Sequence, residues 1–188
     1  MLELKDGFVL YHGSYCEVKE PELAKCAKRK DFGQGFYLTT SKEQAESFLR
    51  TSIAKAIATG TIEEGQKFGY ISTFEFKFSG NLETLIFENA DVDWLHCIAA
   101  HRKKKMFIEV EREMARYDII AGKIADDATN ATLTAYLAGA FGTAGDKEAD
   151  DFCIRQLLPN KLKDQYCFKT ESAIKCLKFV KGEKIWLK

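Results

Sequence analysis

Phe8-Val9-Leu10-Tyr11-His12-Gly13-Ser14 is an apolar run of strand-forming residues that a Gly-Ser pair ends. A polar loop rich in lysine and glutamate follows it and extends through Lys30-Asp31. Gly33-Gln34-Gly35 then allows tight backbone geometry directly before a second strand, Phe36-Tyr37-Leu38-Thr39. The start of the chain therefore carries a histidine on one strand, a tyrosine on the next and a flexible glycine pair between them.

A helix is predicted directly after the second strand, over residues 42–59, with Thr40 or Ser41 suited to cap its first turn. Its apolar face repeats at helical spacing and comprises Ala45, Phe48, Leu49 and Ile53. Further strands are predicted at 70–78, 82–87, 117–124, 165–168 and 183–187, and further helices at 92–102, 128–141, 147–157 and 171–176. Because repeats, low-complexity tracts and linker-like segments are absent from the sequence, we expect one α+β domain over residues 1–188.

The charge balance gives no reason to expect a polyanion as partner, because 28 Lys and Arg residues match 28 Asp and Glu residues. Arg102-Lys103-Lys104-Lys105 is a local basic run. We interpret it as a solvated helix face, and the alternative is a contact with phosphate or nucleic acid. No apolar run approaches the ~18 residues that a membrane span needs, so we expect no membrane association.

The six cysteines indicate reduced thiols rather than a disulfide framework. They form no Cys-x-x-Cys pair, and no signal peptide is recognisable before the first strand, so we expect a cytoplasmic protein. Cys97 and His101 would share one face of a helix. Two ligands do not make a zinc site, and we therefore expect no metal.

The two opening stretches carry a resemblance. His12-Gly13-Ser14 and Gly33-x-Gly35-x-Tyr37 resemble the first two signature motifs of the ADP-ribosyltransferase superfamily, in the His–Tyr–Glu branch that includes diphtheria toxin and the poly(ADP-ribose) polymerases. The chain is most similar to a poorly characterised bacterial family of such domains, which also carries the Asp-x-x-x-Gly-x-x-Ala-Asp-Asp stretch present at 118–127. The resemblance implies a split β-sheet core with flanking helices.

The resemblance also implies a substrate, NAD, from which ADP-ribose is transferred to an acceptor. Cleavage of the bond between nicotinamide and ribose requires that the ribose is held while the leaving ring stays clamped. His12 would bind a ribose hydroxyl, and backbone groups at Gly13, with Ser14 and Gly35 beside them, would approach the ligand closely. Tyr37 would supply one aromatic face for nicotinamide, and Phe48, eleven residues further on, would supply the other.

The third residue of the His–Tyr–Glu triad departs from the family pattern. The late strand that carries glutamate in those enzymes reads Asp164-Gln165-Tyr166 here, so Gln165 occupies the glutamate position. A glutamine can hydrogen-bond a ribose hydroxyl, but it can neither act as a general base nor stabilise positive charge as a carboxylate does. We therefore expect transfer of a single ADP-ribose, as in the mono-transferases of the superfamily that lack this glutamate, rather than chain building.

A substitute acid is a further possibility. Asp126 and Asp127 end a predicted strand and either bind ligand or cap the helix that follows; the sequence favours neither. Asp31 lies beside the glycine loop and could reach the adenosine side, but we interpret it as an exposed loop acid.

Several functions stay open at this level. The first is a mono-ADP-ribosyltransferase that modifies a protein, nucleic acid or small molecule, and the resemblance implies a bacterial toxin held by a cognate antitoxin, or an anti-phage factor. The alternatives are a non-catalytic module that binds NAD or ADP-ribose, an NAD glycohydrolase, and a protein-interaction domain with a decayed pocket. The loops at 16–32 and 89–116 are candidates for acceptor recognition.

Overall fold

The computed structural model of the chain describes residues 3–125, 127–157 and 162–187. The described strands are β1 (Val9–Ser14), β2 (Phe36–Leu38), β3 (Phe68–Phe76), β4 (Thr84–Ile86), β5 (Ile119–Lys123), β6 (Asp164–Phe168) and β7 (Leu177–Trp186). The described helices are α1 (Lys42–Ala58), α2 (Val92–Arg102), α3 (Ile108–Met114), α4 (Asp127–Leu137), α5 (Lys147–Leu157) and α6 (Glu171–Ile174), with a short 3-10 turn at Leu23–Lys25. Helices and strands are mixed, and the fold is α+β.

The strands form two sheets. Sheet 1 has the order β1-β3-β7 and is antiparallel throughout, whereas sheet 2 has the order β2-β6-β5-β4 and contains one parallel pair, β4 with β5. A single bridge between Tyr11 of β1 and Thr39, directly after β2, links the two sheets. The chain therefore places β1, β2 and β6 side by side across the junction.

The layers follow from the alternation of side chains along the strands. Ala45 and Leu49 of α1 pack on one face of sheet 1 against Ile71. The opposite face of sheet 1 packs against sheet 2 through a cluster that includes Leu10, Phe36, Leu38, Phe74, Phe76, Tyr166 and Phe168. The outer face of sheet 2 is covered by α2, α4 and α5 through a cluster that includes Phe32, Trp94, Ile98, Ile120, Leu133, Tyr136, Cys153 and Cys167.

Local capping explains where three helices begin. The side chains of Ser41, Asp91 and Thr170 each accept a hydrogen bond from a backbone N–H in the first turn of α1, α2 and α6 respectively. The seven predicted strands and five predicted helices are confirmed in their order, and α2 and α5 match their predicted bounds. The described helices contain none that is both long and apolar enough to cross a membrane.

Three elements differ from the prediction. α4 ends at Leu137 rather than at residue 141, because Gly139 adopts a left-handed conformation with φ of +82°. α3 was not predicted, and it follows Phe107, which is itself left-handed with φ of 51°. β7 begins at Leu177 rather than at residue 183, because the whole segment pairs with β3 at the edge of sheet 1, where lysines on the open side obscure a strand pattern.

Helix α1 lies very close to β1. A Cβ atom added at Gly13 would lie 1.9 Å from the carbonyl oxygen of Ala45, so the helix backbone occupies the space of a side chain at this position. Four residues after Phe48, Ser52 accepts a hydrogen bond from the backbone N–H of Tyr15 over 3.1 Å. Phe48 lies between Ala45 and Ser52 along α1 and is half-buried.

We expect Gly13→Ala to lower the free energy of unfolding by about 3 kcal/mol or more, because the new methyl group meets backbone atoms that cannot move independently of α1. Urea denaturation followed by circular dichroism measures the change. The matched control is Gly60→Ala, at a glycine with φ of +66° and nothing within 4 Å of its added Cβ, where left-handed strain alone costs about 1 kcal/mol. Equal effects of the two substitutions would contradict the close approach of α1.

Candidate active site

His12 lies at the junction of the two sheets. Its Nδ1 is 2.8 Å from the carbonyl oxygen of Tyr37, and its ring packs on the ring of Phe36 with centroids 4.4 Å apart. Because a carbonyl oxygen only accepts, Nδ1 carries the hydrogen and Nε2 is left with a lone pair. The pKa of His12 is lowered to about 4, chiefly by burial; the hydrogen bond to Tyr37 opposes this shift and the charge of Lys30 adds to it. At neutral pH His12 is therefore an uncharged side chain whose Nε2 is an acceptor.

Tyr37 points into the interior. Its hydroxyl accepts a hydrogen bond from the backbone N–H of Phe32 over 2.9 Å and donates one to the carbonyl oxygen of Gly33 over 2.8 Å. Burial, together with the nearby Cys167 and Asp31, raises the pKa of Tyr37 well above its ordinary value. The hydroxyl thus stays protonated and ties the loop at 31–33 to β2. Because the hydroxyl is occupied in this way, the part of Tyr37 that can contact a ligand is its ring, on the outer face of sheet 2.

Gln165 is buried on β6, with 6% of its surface exposed. Tyr37 pairs with Cys167 in the register of β2 and β6, so Gln165 lies two residues along the strand on the same face as Tyr37. Its Nε2 lies 2.7 Å from Oδ2 of Asp31 and 3.4 Å from the carbonyl oxygen of Lys123. Both neighbours are acceptors, so the amide nitrogen faces them and Oε1 points elsewhere.

Asp31 is not the exposed loop acid expected from the sequence: it is 6% exposed and lies at the centre of a polar cluster. Its Oδ1 accepts from Nε of Arg102 over 2.9 Å and from Nη2 over 2.6 Å, and its Oδ2 accepts from Gln165 and from the backbone N–H of Ala125 at 3.2 Å. The loop residue is buried because tertiary contacts supply a partner for each lone pair. We call Asp31, Arg102 and Gln165 the Asp31 cluster.

Arg102, the first residue of the basic run, is likewise not on a solvated helix face. It ends α2, and beyond Asp31 it donates to the carbonyl oxygen of Ala125 over 3.0 Å and to Oδ1 of Asn130 over 3.1 Å. Its side chain is 20% exposed. Lys104 and Lys105 do lie on the surface, as expected. The basic run is therefore partly buried and partly exposed, because Arg102 is the last residue of α2 and the lysines after it lie on the surface.

The glycines of the two motifs have internal packing reasons as well. A Cβ at Gly35 would lie 2.4 Å from Sγ of Cys167 on β6, as one at Gly13 would strike α1. Ser14, at the end of β1, is 8% exposed and pairs with Tyr70 of β3. Small residues at these positions are required by the neighbouring elements, whatever ligand lies beside them.

The remaining predicted residues fall outside this geometry. Asp126 lies outside the described residues, and Asp127 is described as the first residue of α4 without its side chain. Cys97 and His101 do share a face of α2, with Sγ 3.7 Å from Nδ1, and His101 donates to the carbonyl oxygen of Cys97. Two surface hollows, of about 600 and 340 Å³, lie around Phe152 and around Lys169 respectively. The second is lined by Gly33 of the second motif and by His101, and neither is lined by His12, Tyr37 or Gln165.

A family profile described as protein of unknown function (DUF3990) matches residues 8–179. The chain belongs to this family. The DUF3990 match begins just before β1 and ends within β7, and it includes His12, Tyr37, Gln165 and the Asp31 cluster. Neither the curated proteins nor the solved structures gave a match.

The low pKa of His12 predicts a pH dependence of stability. His12 takes up a proton near pH 6.5 in the unfolded chain and only near pH 4 in the folded chain. The free energy of unfolding is therefore highest above pH 6.5, where His12 is neutral in both states, and it falls as the pH drops from 6.5 to 4. Between pH 7 and pH 4.5 the wild type should lose on the order of 2 kcal/mol more than His12→Asn, in which the amide replaces the Nδ1 donor without titrating. Urea denaturation at both pH values measures this, and parallel losses in the two proteins would contradict it.

Tyr37→Phe should lower the free energy of unfolding by about 1–3 kcal/mol, because it leaves the N–H of Phe32 and the carbonyl of Gly33 without their buried partner. Tyr70→Phe, on a half-exposed strand position, is the matched control and should change stability by less than about 0.5 kcal/mol. Thermal denaturation compares the two. Indistinguishable variants would show that the Tyr37 hydroxyl does not hold the loop.

Proposed function

We propose that this DUF3990 protein is an NAD-dependent mono-ADP-ribosyltransferase of the cytoplasm, with its site at the junction of β1, β2 and β6. The observation that carries the proposal is a pair of side chains that can offer only acceptors to a ligand at neutral pH. Nε2 of His12 is one, because Nδ1 donates to Tyr37, and Oε1 of Gln165 is the other, because Nε2 donates to Asp31. A ribose presents hydroxyl donors, so fixed acceptors on β1 and β6, with β2 between them, suit it.

The aromatic groups support the same ligand. The Tyr37 ring lies on the Gln165 face of sheet 2, and α1, the helix that carries Phe48, packs against the end of β1 at Gly13 and Tyr15. A flat ring held between aromatic side chains gains about 0.5–1.5 kcal/mol beyond the burial of its area. Gly13, Ser14 and Gly35 would contribute backbone groups to this pocket.

In the proposed reaction the bond between nicotinamide nitrogen and C1′ of the ribose breaks, and its electron pair leaves with neutral nicotinamide. C1′ then bonds to a nucleophilic atom of the acceptor, whose proton passes to solvent. His12 and Gln165 hold the ribose while positive charge develops on it. Gln165 cannot remove the acceptor proton, which favours single transfer to an acceptor that is already nucleophilic.

A second candidate is a module that binds NAD or ADP-ribose without turnover. The observation that favours it is the neutral amide at the position where the resembling enzymes carry a carboxylate. An NAD glycohydrolase would use the same site with water as the acceptor. The acceptor of a transferase, whether protein, nucleic acid or small molecule, and an antitoxin partner are proposals that come from the resemblance.

The test combines purified protein, NAD labelled in its adenosine half, and a bacterial lysate. We expect nicotinamide release and label transfer with the wild type, and at least a tenfold lower rate with His12→Asn, which keeps the hydrogen bond to Tyr37 but lacks the Nε2 acceptor. Calorimetry with NAD runs in parallel. Binding without release selects the binding module, release without transfer selects the glycohydrolase, and absence of binding and release overturns the proposal.

A toxin role makes a separate prediction in cells. Induced expression in a bacterial host should arrest growth with the wild type and not with His12→Asn, because the variant keeps the hydrogen bond to Tyr37 but has no acceptor at the position of Nε2. Colony counts after induction measure it. Equal growth with both proteins would contradict the toxin role and would not bear on the proposed enzymatic activity.

A further inference from the structure

We propose that Asp31 is a positioning residue that acts through Gln165 and makes a neutral amide present a fixed acceptor where the resembling enzymes carry a carboxylate. The inference rests on the proposed function and goes beyond it, because neither the sequence motifs nor the resemblance assigns a role to Asp31 or Arg102. Asp31 is the group that lets a glutamine serve at the position where those enzymes carry glutamate.

The hydrogen-bond count shows why Asp31 cannot act on a substrate directly. A carboxylate has about four lone-pair sites, and four donors reach this one: two from Arg102, one from Gln165 and one from the backbone of Ala125. Each is within 3.2 Å of its oxygen. Asp31 therefore has no free acceptor for a ligand, and its influence on one must pass through Gln165.

The same contacts set the orientation of Gln165. An amide rotated by 180° would place Oε1 against Oδ2 of Asp31 at 2.7 Å and close to the carbonyl oxygen of Lys123, with repulsion at both points. The observed orientation is thus strongly preferred, and Oε1 faces away from the cluster. A hydrogen bond from the amide to a carboxylate also polarises the amide, which makes its oxygen a stronger acceptor.

Stability alone gives a weak reason for this cluster. Burying an aspartate with an arginine removes two ions from water, and well-packed apolar side chains in their place are often as stabilising or more so. The cluster also draws three separate segments together: the loop before β2, the end of α2 and the start of β6. Because Arg102 balances the charge of Asp31, the use of the cluster at the proposed ribose site is to fix and polarise the Gln165 amide, whose oxygen dipole then faces the developing positive charge.

The arrangement explains why glutamate is not simply interchangeable with glutamine here. Gln165→Glu would place a second carboxylate at the 2.7 Å contact with Asp31, where two ionised carboxylates repel and must share a proton. Arg102 is the cation of the cluster, and the side chains of Tyr37, His101, Cys97 and Cys167 also interact with Asp31. A new ionisation in the pH profile of Gln165→Glu with a raised pKa, which Asp31→Asn in the double variant moves down, is therefore the signature of the contact.

The experiment compares Asp31→Asn, Gln165→Glu and the double variant with wild type, in nicotinamide release at a series of NAD concentrations and pH values. Asp151→Asn is the matched control, because it makes the same change at an exposed ion pair with Lys147 on α5. We expect Asp31→Asn to lower kcat by about 10- to 100-fold while KM for NAD changes less than about threefold, and Asp151→Asn to behave as wild type. Gln165→Glu should show the added ionisation, and the double variant should be about tenfold or more faster than the slower single variant.

The outcomes separate the two proposals. A wild type that neither binds NAD nor releases nicotinamide overturns the proposed function. A wild type that releases nicotinamide overturns the positioning role alone if Asp31→Asn keeps kcat within about threefold, or if Gln165→Glu has the wild-type pH profile. If Asp31→Asn does not fold, Gln165→Glu decides by the position of its added ionisation: a glutamate against the Asp31 carboxylate has a pKa raised above the ordinary value of about 4.3, and an added ionisation at that ordinary value overturns the positioning role.

Discussion

The junction between β1 and β2 is the constraint on which the site depends. Tyr11 and Thr39 exchange backbone hydrogen bonds of 2.8 and 3.0 Å, and His12 adds its side-chain bond to the carbonyl of Tyr37 one step further. These contacts join two sheets whose other pairings are internal to each sheet. The histidine is therefore part of the joint itself, which holds its tautomer and leaves Nε2 as an acceptor.

The second determinant is the desolvation of Asp31. A carboxylate brought into the interior has to find donors for all its lone pairs, and the chain supplies them from α2, from the segment after β5 and from β6. The last part of the loop before β2 is thereby held by two sets of hydrogen bonds, since the Tyr37 hydroxyl bonds Phe32 and Gly33, directly after Asp31. The orientation of Gln165 is a consequence of the same requirement.

Much of the fold was predictable because its elements carry strong local signals. Ser41 and Asp91 cap helices that begin directly after them, and Ala45, Leu49 and Ile53 of the predicted α1 face are buried. The predicted alternation along β3 is not seen in its burial, because residues 71–74 of this central strand are all buried. α3 and the first half of β7 were missed, because a charged helix and a charged edge strand become recognisable only through their partners. Of the site residues, His12, Tyr37 and Gln165 were placed on strands by local patterns, and their assignment to one site came from the resemblance. Asp31 and Arg102 left no local signal, since an acid in a polar loop and an arginine in a basic run are ordinarily exposed.

The sequence by itself determined the α+β class, the order of the elements and the residues that carry the resemblance, because periodicity, caps and glycine pairs act over a few residues. The tertiary structure decided what those residues can offer. It showed that Gly13 and Gly35 have no room for a side chain, that the Tyr37 hydroxyl is turned inward, and that the Gln165 amide is oriented by a carboxylate 134 positions away in the chain. Hydrogen-bond donors and acceptors are matched through space, so a carboxylate and an amide so far apart in sequence can specify one another only once the fold has buried both.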